Sequence, residues 1–329
     1  MKKIYSMDFF GRNITIETGW LAKQANGSVL VRYGDTVVLS DAVMGKNVIS
    51  QDFFPLQVLY QEKLYSVGKI PGGFIKREGR PTDEATLAAR LIDRPLRPMF
   101  DENLRNEIQV INTVLSVDQD NSPVMTALFG SSLALGISEI PFDGPVCGVV
   151  VGKIGKEYII NPTVEELEKS ELNLTVAGTK NAICMVEAGA NECSEKVVLE
   201  GILFGHEAIK KLCEFQEKII EEIGKEKVEL DKAELEQDLV EAVTNYAYQN
   251  ILDAIQIKDK LESAGKVEEI KQQTIGYFTN MYLEDASLED KLKQINKILY
   301  NLEADAVRSL ITEKHIRPDG RAMDEIRSL

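Results

Sequence analysis

Alternation of apolar and polar positions, with β-branched residues on the apolar phase, runs through residues 13–18, 28–33 and 36–43. This is the pattern of strands that bury one face. Gly34-Asp35 joins the last two runs as a two-residue hairpin turn, so the chain is expected to begin as a twisted, mostly antiparallel sheet. Further strands are expected at 56–60, 108–117, 146–151, 158–160, 172–176 and 182–187. Residues 124–137, rich in Ala, Gly and Ser between Leu and Met, predict a helix packed closely on a sheet. Pro162-Thr163-Val164-Glu165-Glu166 starts a second, short helix with acids in the first turn, where the helix dipole favours them. From Ser194 the pattern turns helical, with Leu212, Phe215, Ile219 and Ile223 recurring at spacings of three and four, and again at Leu239, Val243, Tyr246 and Ile251.

Proline marks a change of architecture. Nine of the ten prolines lie at or before Pro162 and the tenth is Pro318. The proline-free stretch predicts a separate small helical domain. Over 229–311 it carries nine basic against seventeen acidic residues, an acidic surface that reads as a plain solvated face. A length of 329 residues with 44% hydrophobic content suits two or three domains.

A formal charge of −15 argues against general adhesion to nucleic acid or to an anionic membrane. Cys147, Cys184, Cys193 and Cys213 form no Cys-x-x-Cys pair and read as reduced, cytosolic thiols, which places the protein in the cytoplasm. Asp8 interrupts the start of the chain before any long apolar segment develops, so no signal peptide is expected, and no run reaches membrane-spanning length.

Most candidate chemical motifs dissolve on inspection. Gly148-Val-Val-Val-Gly152-Lys153 is one residue short of a phosphate-cradling loop and lacks the hydroxyl for magnesium, so it reads as a buried strand ending in a turn. His206 and His315 have no ligand-spaced carboxylate or thiol around them, which excludes a zinc pattern. Ser131-Ser132 sits in a packed helix far from either histidine and reads as structural.

One segment is different. Between residues 63 and 97 there are eight basic and four acidic residues, a positive island on an acidic chain. Pro71-Gly72-Gly73 makes a turning approach, after which Phe74 and Ile75 stand beside Lys76, Arg77 and Arg80. Stacking surface interleaved with cations is what single-stranded nucleic acid needs: rings take bases, and Lys and Arg neutralise phosphates. The competing reading is a surface loop whose Phe74 merely anchors it in a core. Thr82 then caps a helix that Pro95 is expected to stop. In that helix Arg90 and Arg94 share one face, Leu87 and Leu91 occupy another that packs on the sheet, and Arg97 continues the basic side. Guanidinium groups so held suit phosphate oxygens, unless they are spent in ion pairs with Glu84 and Asp93.

At these residues the chain closely resembles the polyribonucleotide phosphorylase family. Gly72-Gly73-Phe74-Ile75-Lys76-Arg77-Glu78-Gly79-Arg80-Pro81 is similar to that family's Phe-Phe-Arg-Arg loop, and Arg90-Leu91-Ile92-Asp93-Arg94-Pro95-Leu96-Arg97-Pro98 to the segment after it. The likeness runs from the N-terminal hairpin through Val176-Ala177-Gly178-Thr179 and the acidic helical region. It implies an α+β fold: a first RNase PH-like core over 1–228, with β-sheet/helix subdomains at about 1–142 and 143–228, then an all-α domain over 229–311. Arg317-Pro318-Asp319-Gly320-Arg321 resembles the opening of the family's second core, so 312–329 is expected to begin that core.

The implied reaction is 3′-to-5′ phosphorolysis of RNA, with inorganic phosphate as co-substrate and Mg2+ bound by the second core. The first core is implied to lack the chemistry. Where the family's catalytic strand carries an acid and a lysine, this chain has Asn173 and Thr175, and Pro123 stands in the stretch matching the phosphate-binding serine loop. The role implied for Phe74, Lys76, Arg77, Arg80, Arg90, Arg94 and Arg97 is to grip and thread single-stranded RNA in a homotrimeric ring, with RNA-degradation complexes as further partners and no membrane. Ile75 and Lys76 replace the family's second aromatic and first arginine. The alternatives are a noncatalytic RNA-binding and trimerisation scaffold, or a stand-alone RNase PH relative.

Overall fold

The computed structural model describes residues 1–48, 53–101, 103–230 and 235–327. Residues 231–234, within the segment expected to be all-helical, and 328–329, within the expected opening of a second core, lie outside the described residues. The chain divides into two compact units, Met1–Asp231 and Lys232–Leu329.

The first unit is α+β and holds two sheets. One takes β1 (Lys3–Phe9), β2 (Arg12–Thr18), β3 (Gly27–Tyr33), β4 (Thr36–Val48), β5 (Leu56–Glu62) and, after α1 (Asp83–Leu96), β6 (Asn106–Ser116), in the spatial order β1-β2-β3-β4-β6-β5. All its pairs are antiparallel except β5 with β6. Helix α2 (Pro123–Ile137) packs on β3 and β4. The second sheet follows, from β7 (Cys147–Ile154), β8 (Glu157–Ile160), then α3 (Val164–Lys169), β9 (Leu172–Gly178) and β10 (Ile183–Ala190), in the antiparallel order β10-β9-β7-β8. It is covered by α4 (Glu195–Ile223).

Sequence pattern and structure agree at most strands, including the hairpin in which Gly34 takes φ of 58°. β1 lies before the first strand expected from the alternation; its Tyr5, Met7 and Phe9 turn inward and pair with β2. Helix α2 is buried on all sides, and a methyl group at Gly130 would collide with the Ser40 side chain, so glycine is what permits this close approach to β4. Ser131 donates to Asn112 Oδ1 at 2.9 Å, and Ser132 donates to Gln216 Oε1 at 2.9 Å while accepting from the Val146 amide at 2.8 Å. Both serines are therefore packing groups. Lys227 caps the C-terminal end of α2, donating to the carbonyls of Leu135, Gly136 and Ser138, and burial pushes its ammonium down to about 8.

Two expectations for α1 are corrected. Leu87 is 63% exposed; the face turned into the core is Ala85, Ala88, Ile92 and Leu96. The small alanines let the helix lie close to β5 and α2 and leave Leu87 turned outward, whereas Leu91 is half-buried and packs against the core as expected. Pro95 also lies inside the helix, which runs to Leu96 before a 3-10 turn at Arg97–Met99. So near the C-terminal end, a missing N–H removes one backbone bond and leaves the preceding turns intact.

The second unit consists of α5 (Gln237–Ala254), α6 (Lys260–Met281) and α7 (Leu288–Thr312) around a core that includes Val243, Ile251, Ile270, Phe278, Ile295 and Leu299. Tyr246, expected on the buried face, sits at its rim with its ring 4.5 Å from that of Tyr277. Before α7, the Asp285 carboxylate accepts from Lys291 Nζ at 2.6 Å and from the Ser287 amide and hydroxyl at 2.8 and 2.7 Å. The Lys291 bond, then the two from Ser287, hold the carboxyl well below the usual carboxylate range. A folded-state value below the unfolded one gives stability that is fully present above the unfolded value and lost as pH falls through the folded one. Asp285→Asn is therefore expected to melt below wild type at neutral pH, with the gap closing below about pH 4; parallel thermal melts across pH check this.

Candidate nucleic-acid interface

β5 leads into a 3-10 turn at Leu64–Val67, closed by Gly68 in the left-handed region at φ 70°. From there to Thr82 the chain stays on the surface. Within it the Lys76 amide donates to the Gly73 carbonyl at 3.1 Å, a tight turn that puts Phe74 and Ile75 at its two corners. Phe74 is 103% exposed and Ile75 74%, so the core-anchor reading of Phe74 fails. Lys76 holds a left-handed φ of 53°, an uncommon conformation for a non-glycine residue. The loop is tied back by Glu78, whose Oε1 accepts from the Leu64 amide at 3.0 Å. Among the described residues, none of Lys63, Lys69, Lys76, Arg77, Arg80 or Arg90 forms an ion pair. A set of exposed, unneutralised cations around an exposed ring is the electrostatic opposite of the surrounding acidic chain.

Thr82 then caps α1, accepting from the Ala85 amide at 3.1 Å, and fixes where the helix arginines point. They differ in commitment. Arg97 is engaged by Asp93 through Nε at 3.0 Å and Nη2 at 2.8 Å, and donates to the carbonyls of Phe54 and Leu56 at 3.3 and 3.1 Å. The ion-pair alternative is thus realised with Asp93, and Arg97 fastens the helix end beside β5. Arg94 has only a loose contact with Glu187 at 3.7 Å, between two exposed groups. Arg90 and Arg94 instead line a cleft of about 760 Å³.

The other walls of that cleft bring together residues far apart in sequence: Ser122 at the start of α2, Asn173 and Thr175 on β9, and Glu187 on β10. Thr175 lies between Val150 and Glu187 in the sheet register. The cleft has the shape of a site but little of its chemistry. Asn173 and Thr175 are neutral, Ser122 Oγ accepts from the Met125 amide at 3.4 Å, and Pro123 offers no backbone donor at the helix N-terminus. No group of three His, Cys, Asp or Glu among the described residues could hold a metal ion.

Tyr65, in the 3-10 turn, went unnoticed in the sequence. Its signal was present, a ring between Lys63 and Lys69 followed by glycine, but the island was read for stacking only from Phe74 onward. Glu78 was likewise counted only as a charge; its role as a clip depends on a contact fourteen residues back.

Residues 11–141 match the 3′ exoribonuclease family, domain 1, and residues 144–208 match domain 2 of the same family. Residues 238–322 match the polyribonucleotide nucleotidyltransferase RNA binding domain. The chain is 55% identical over 328 residues to a polyribonucleotide nucleotidyltransferase of Bacillus licheniformis, 54% to one of Bacillus subtilis and 55% to one of Anoxybacillus flavithermus, in each case across 100% of this chain and 46% of the relative. It therefore spans about half the length of the curated relatives it matches. The two exoribonuclease-domain matches on the first unit, the RNA-binding-domain match on the second and the identity across the whole of this chain together show that the chain belongs to the polyribonucleotide nucleotidyltransferase family.

Proposed function

We propose that this chain is the RNA-holding part of a 3′-to-5′ phosphorolytic exoribonuclease. The observation that carries the reading is the fully exposed Phe74 at the corner of a turn flanked by the unpaired Lys76, Arg77 and Arg80. Phe74 takes a base while the cations of the loop, with Arg90 and Arg94 on α1, neutralise successive phosphates of single-stranded RNA. Arg97 contributes the exposed half of its side chain and the anchoring of the helix. In the reaction, an inorganic phosphate oxygen attacks the phosphorus of the last phosphodiester. The bond to the 3′ oxygen breaks, that oxygen takes a proton, and a nucleoside diphosphate leaves.

Magnesium supplies charge neutralisation to such a step. The residues of this chain do not fit a magnesium site: Asn173 and Thr175 are neutral, and the cleft's carboxylates Glu84, Asp120 and Glu187 form no group that could hold a metal ion. The chemistry accordingly belongs to a second core, which residues 312–329 begin. Residues 1–228 act as the first core, with subdomains meeting near 142, and 229–311 as a helical module. A homotrimeric ring that threads RNA, working in the cytoplasm within RNA-degradation assemblies, accords with this division; no helix among the described residues is long and apolar enough to cross a membrane, and the four cysteines are free.

A phosphorolysis assay on the 329-residue chain, with oligo(A), magnesium and phosphate, is expected to release no nucleoside diphosphate. Release would overturn the assignment of chemistry to another core. The lack of a metal-holding group of acids among the described residues also favours a second reading, a purely noncatalytic RNA-binding scaffold. Supplying the rest of the relatives' length separates the two: restored phosphorolysis supports the enzyme.

A further inference from the structure

The grip described above presents one ring, because Ile75 occupies the second corner of the Phe74 turn. A second ring stands on the same device. Tyr65 is 55% exposed, and among the described residues its ring meets no other ring and its hydroxyl has no hydrogen-bond partner. The 3-10 turn that carries it buries none of its residues, so Tyr65 is not there to fill a core.

The backbone beneath that ring is nevertheless fixed from three directions. Inside the turn, the Gly68 amide donates to the Tyr65 carbonyl and the Lys69 amide to the Leu64 carbonyl, both at 3.0 Å. From the sheet side, the Val117 amide donates to the Ser66 carbonyl at 3.2 Å. From the loop side, Glu78 accepts from the Leu64 amide at 3.0 Å. Phe74 lies four positions before Glu78, so chain length keeps those two backbones within about 14 Å, and the Glu78 bond to Leu64 ties the segment carrying Phe74 to the turn carrying Tyr65. Lys63 and Lys69 flank the turn without ion pairs, as Lys76 and Arg77 flank Phe74. A ring on a pre-ordered backbone loses little freedom when a base stacks on it, which is the condition for affinity from a single side chain.

We propose that Tyr65 is a second base-stacking residue of the RNA grip, kept in register with Phe74 by the hydrogen bond from the Leu64 amide to Glu78. The proposal rests on the single-stranded RNA reading above. It gives the two rings and the cations separable signatures. A ring adds affinity without releasing counterions, so its loss leaves the salt dependence of binding unchanged, whereas loss of a cation flattens it.

The test uses the full-length protein and oligo(A) carrying 2-aminopurine, whose fluorescence is quenched on stacking. Tyr65→Ala is expected to weaken binding about 5- to 150-fold with the salt slope unchanged, and to relieve the quenching at one position of the strand. Tyr65→Phe and Tyr65→Trp are expected to restore both. Glu78→Ala should weaken binding by less, and Glu78→Gln, whose amide oxygen still accepts from Leu64, should bind as wild type. Because the ring is exposed, the melting temperature of each Tyr65 variant should match wild type. If Tyr65→Ala binds as wild type while Phe74→Ala is weakened, the role of Tyr65 is overturned and the RNA reading stands. A loss that neither Phe nor Trp restores also overturns it, as a structural effect. If Phe74→Ala, Tyr65→Ala and Arg77→Glu all bind as wild type, the RNA reading itself falls.

Discussion

Binding of single-stranded RNA by the full-length protein falls by at least about 25-fold at 0.1 M salt when Arg77 and Arg80 both become glutamate. Each phosphate contact on a single strand steepens the logarithmic salt dependence by roughly 0.7, so two contacts account for a slope of about 1.4. Referred to 1 M salt, where counterion release no longer drives binding, that slope is a factor of about 25 at 0.1 M. Reversing the charges adds repulsion to the loss. Both side chains are exposed and have no ion-pair partner among the described residues, so folding is expected to be untouched. The measurement is a salt titration of oligo(A) affinity, with thermal melting as control. An unchanged slope would remove the loop from the RNA path.

Gln216→Ala is expected to destabilise the first unit by about 3 kcal/mol. Gln216 is fully buried on α4 and joins three elements. Its Nε2 donates to the Phe129 carbonyl at 3.1 Å and to Cys147 Sγ at 3.3 Å, and its Oε1 accepts from Ser132 at 2.9 Å. Truncation leaves a cavity and a buried hydroxyl without its acceptor, two penalties that add. For a unit of this size, such a loss lowers the melting temperature by roughly 6–12 °C. Gln216→Met keeps the volume and loses only the polar contacts, with an expected loss of about 1–2 kcal/mol. Equal melting of both variants and wild type would show that α4 does not depend on this network.

The legibility of these features in the sequence follows their range. Strand β2 and the β3–β4 hairpin were readable because alternation and the Gly34-Asp35 turn are local signals. The cap at Thr82 was readable for the same reason, its acceptor and donor being three residues apart. The orientation of Leu87 was not: it looks like a core residue until the close approach to β5 selects the alanine side instead, leaving only Leu91 of the pair against the core. Gln216 gave no signal at all, since a lone glutamine in an amphipathic helix reads as a solvent-facing residue until its partners arrive from α2 and β7.

The candidate interface divides in the same way. The order of residues alone determined the positive island, its ring-and-cation composition, and the neutral Asn173 and Thr175 and donor-free Pro123. Only the tertiary structure decided that Phe74 faces solvent, that Arg97 is taken up by Asp93 and two carbonyls, and that Arg90 and Arg94 share one cleft with β9. Composition is a property of neighbours in the chain, and a sequence states it outright. Exposure and pairing are outcomes of competition among groups distant in the chain, settled only when packing fixes which of them meet.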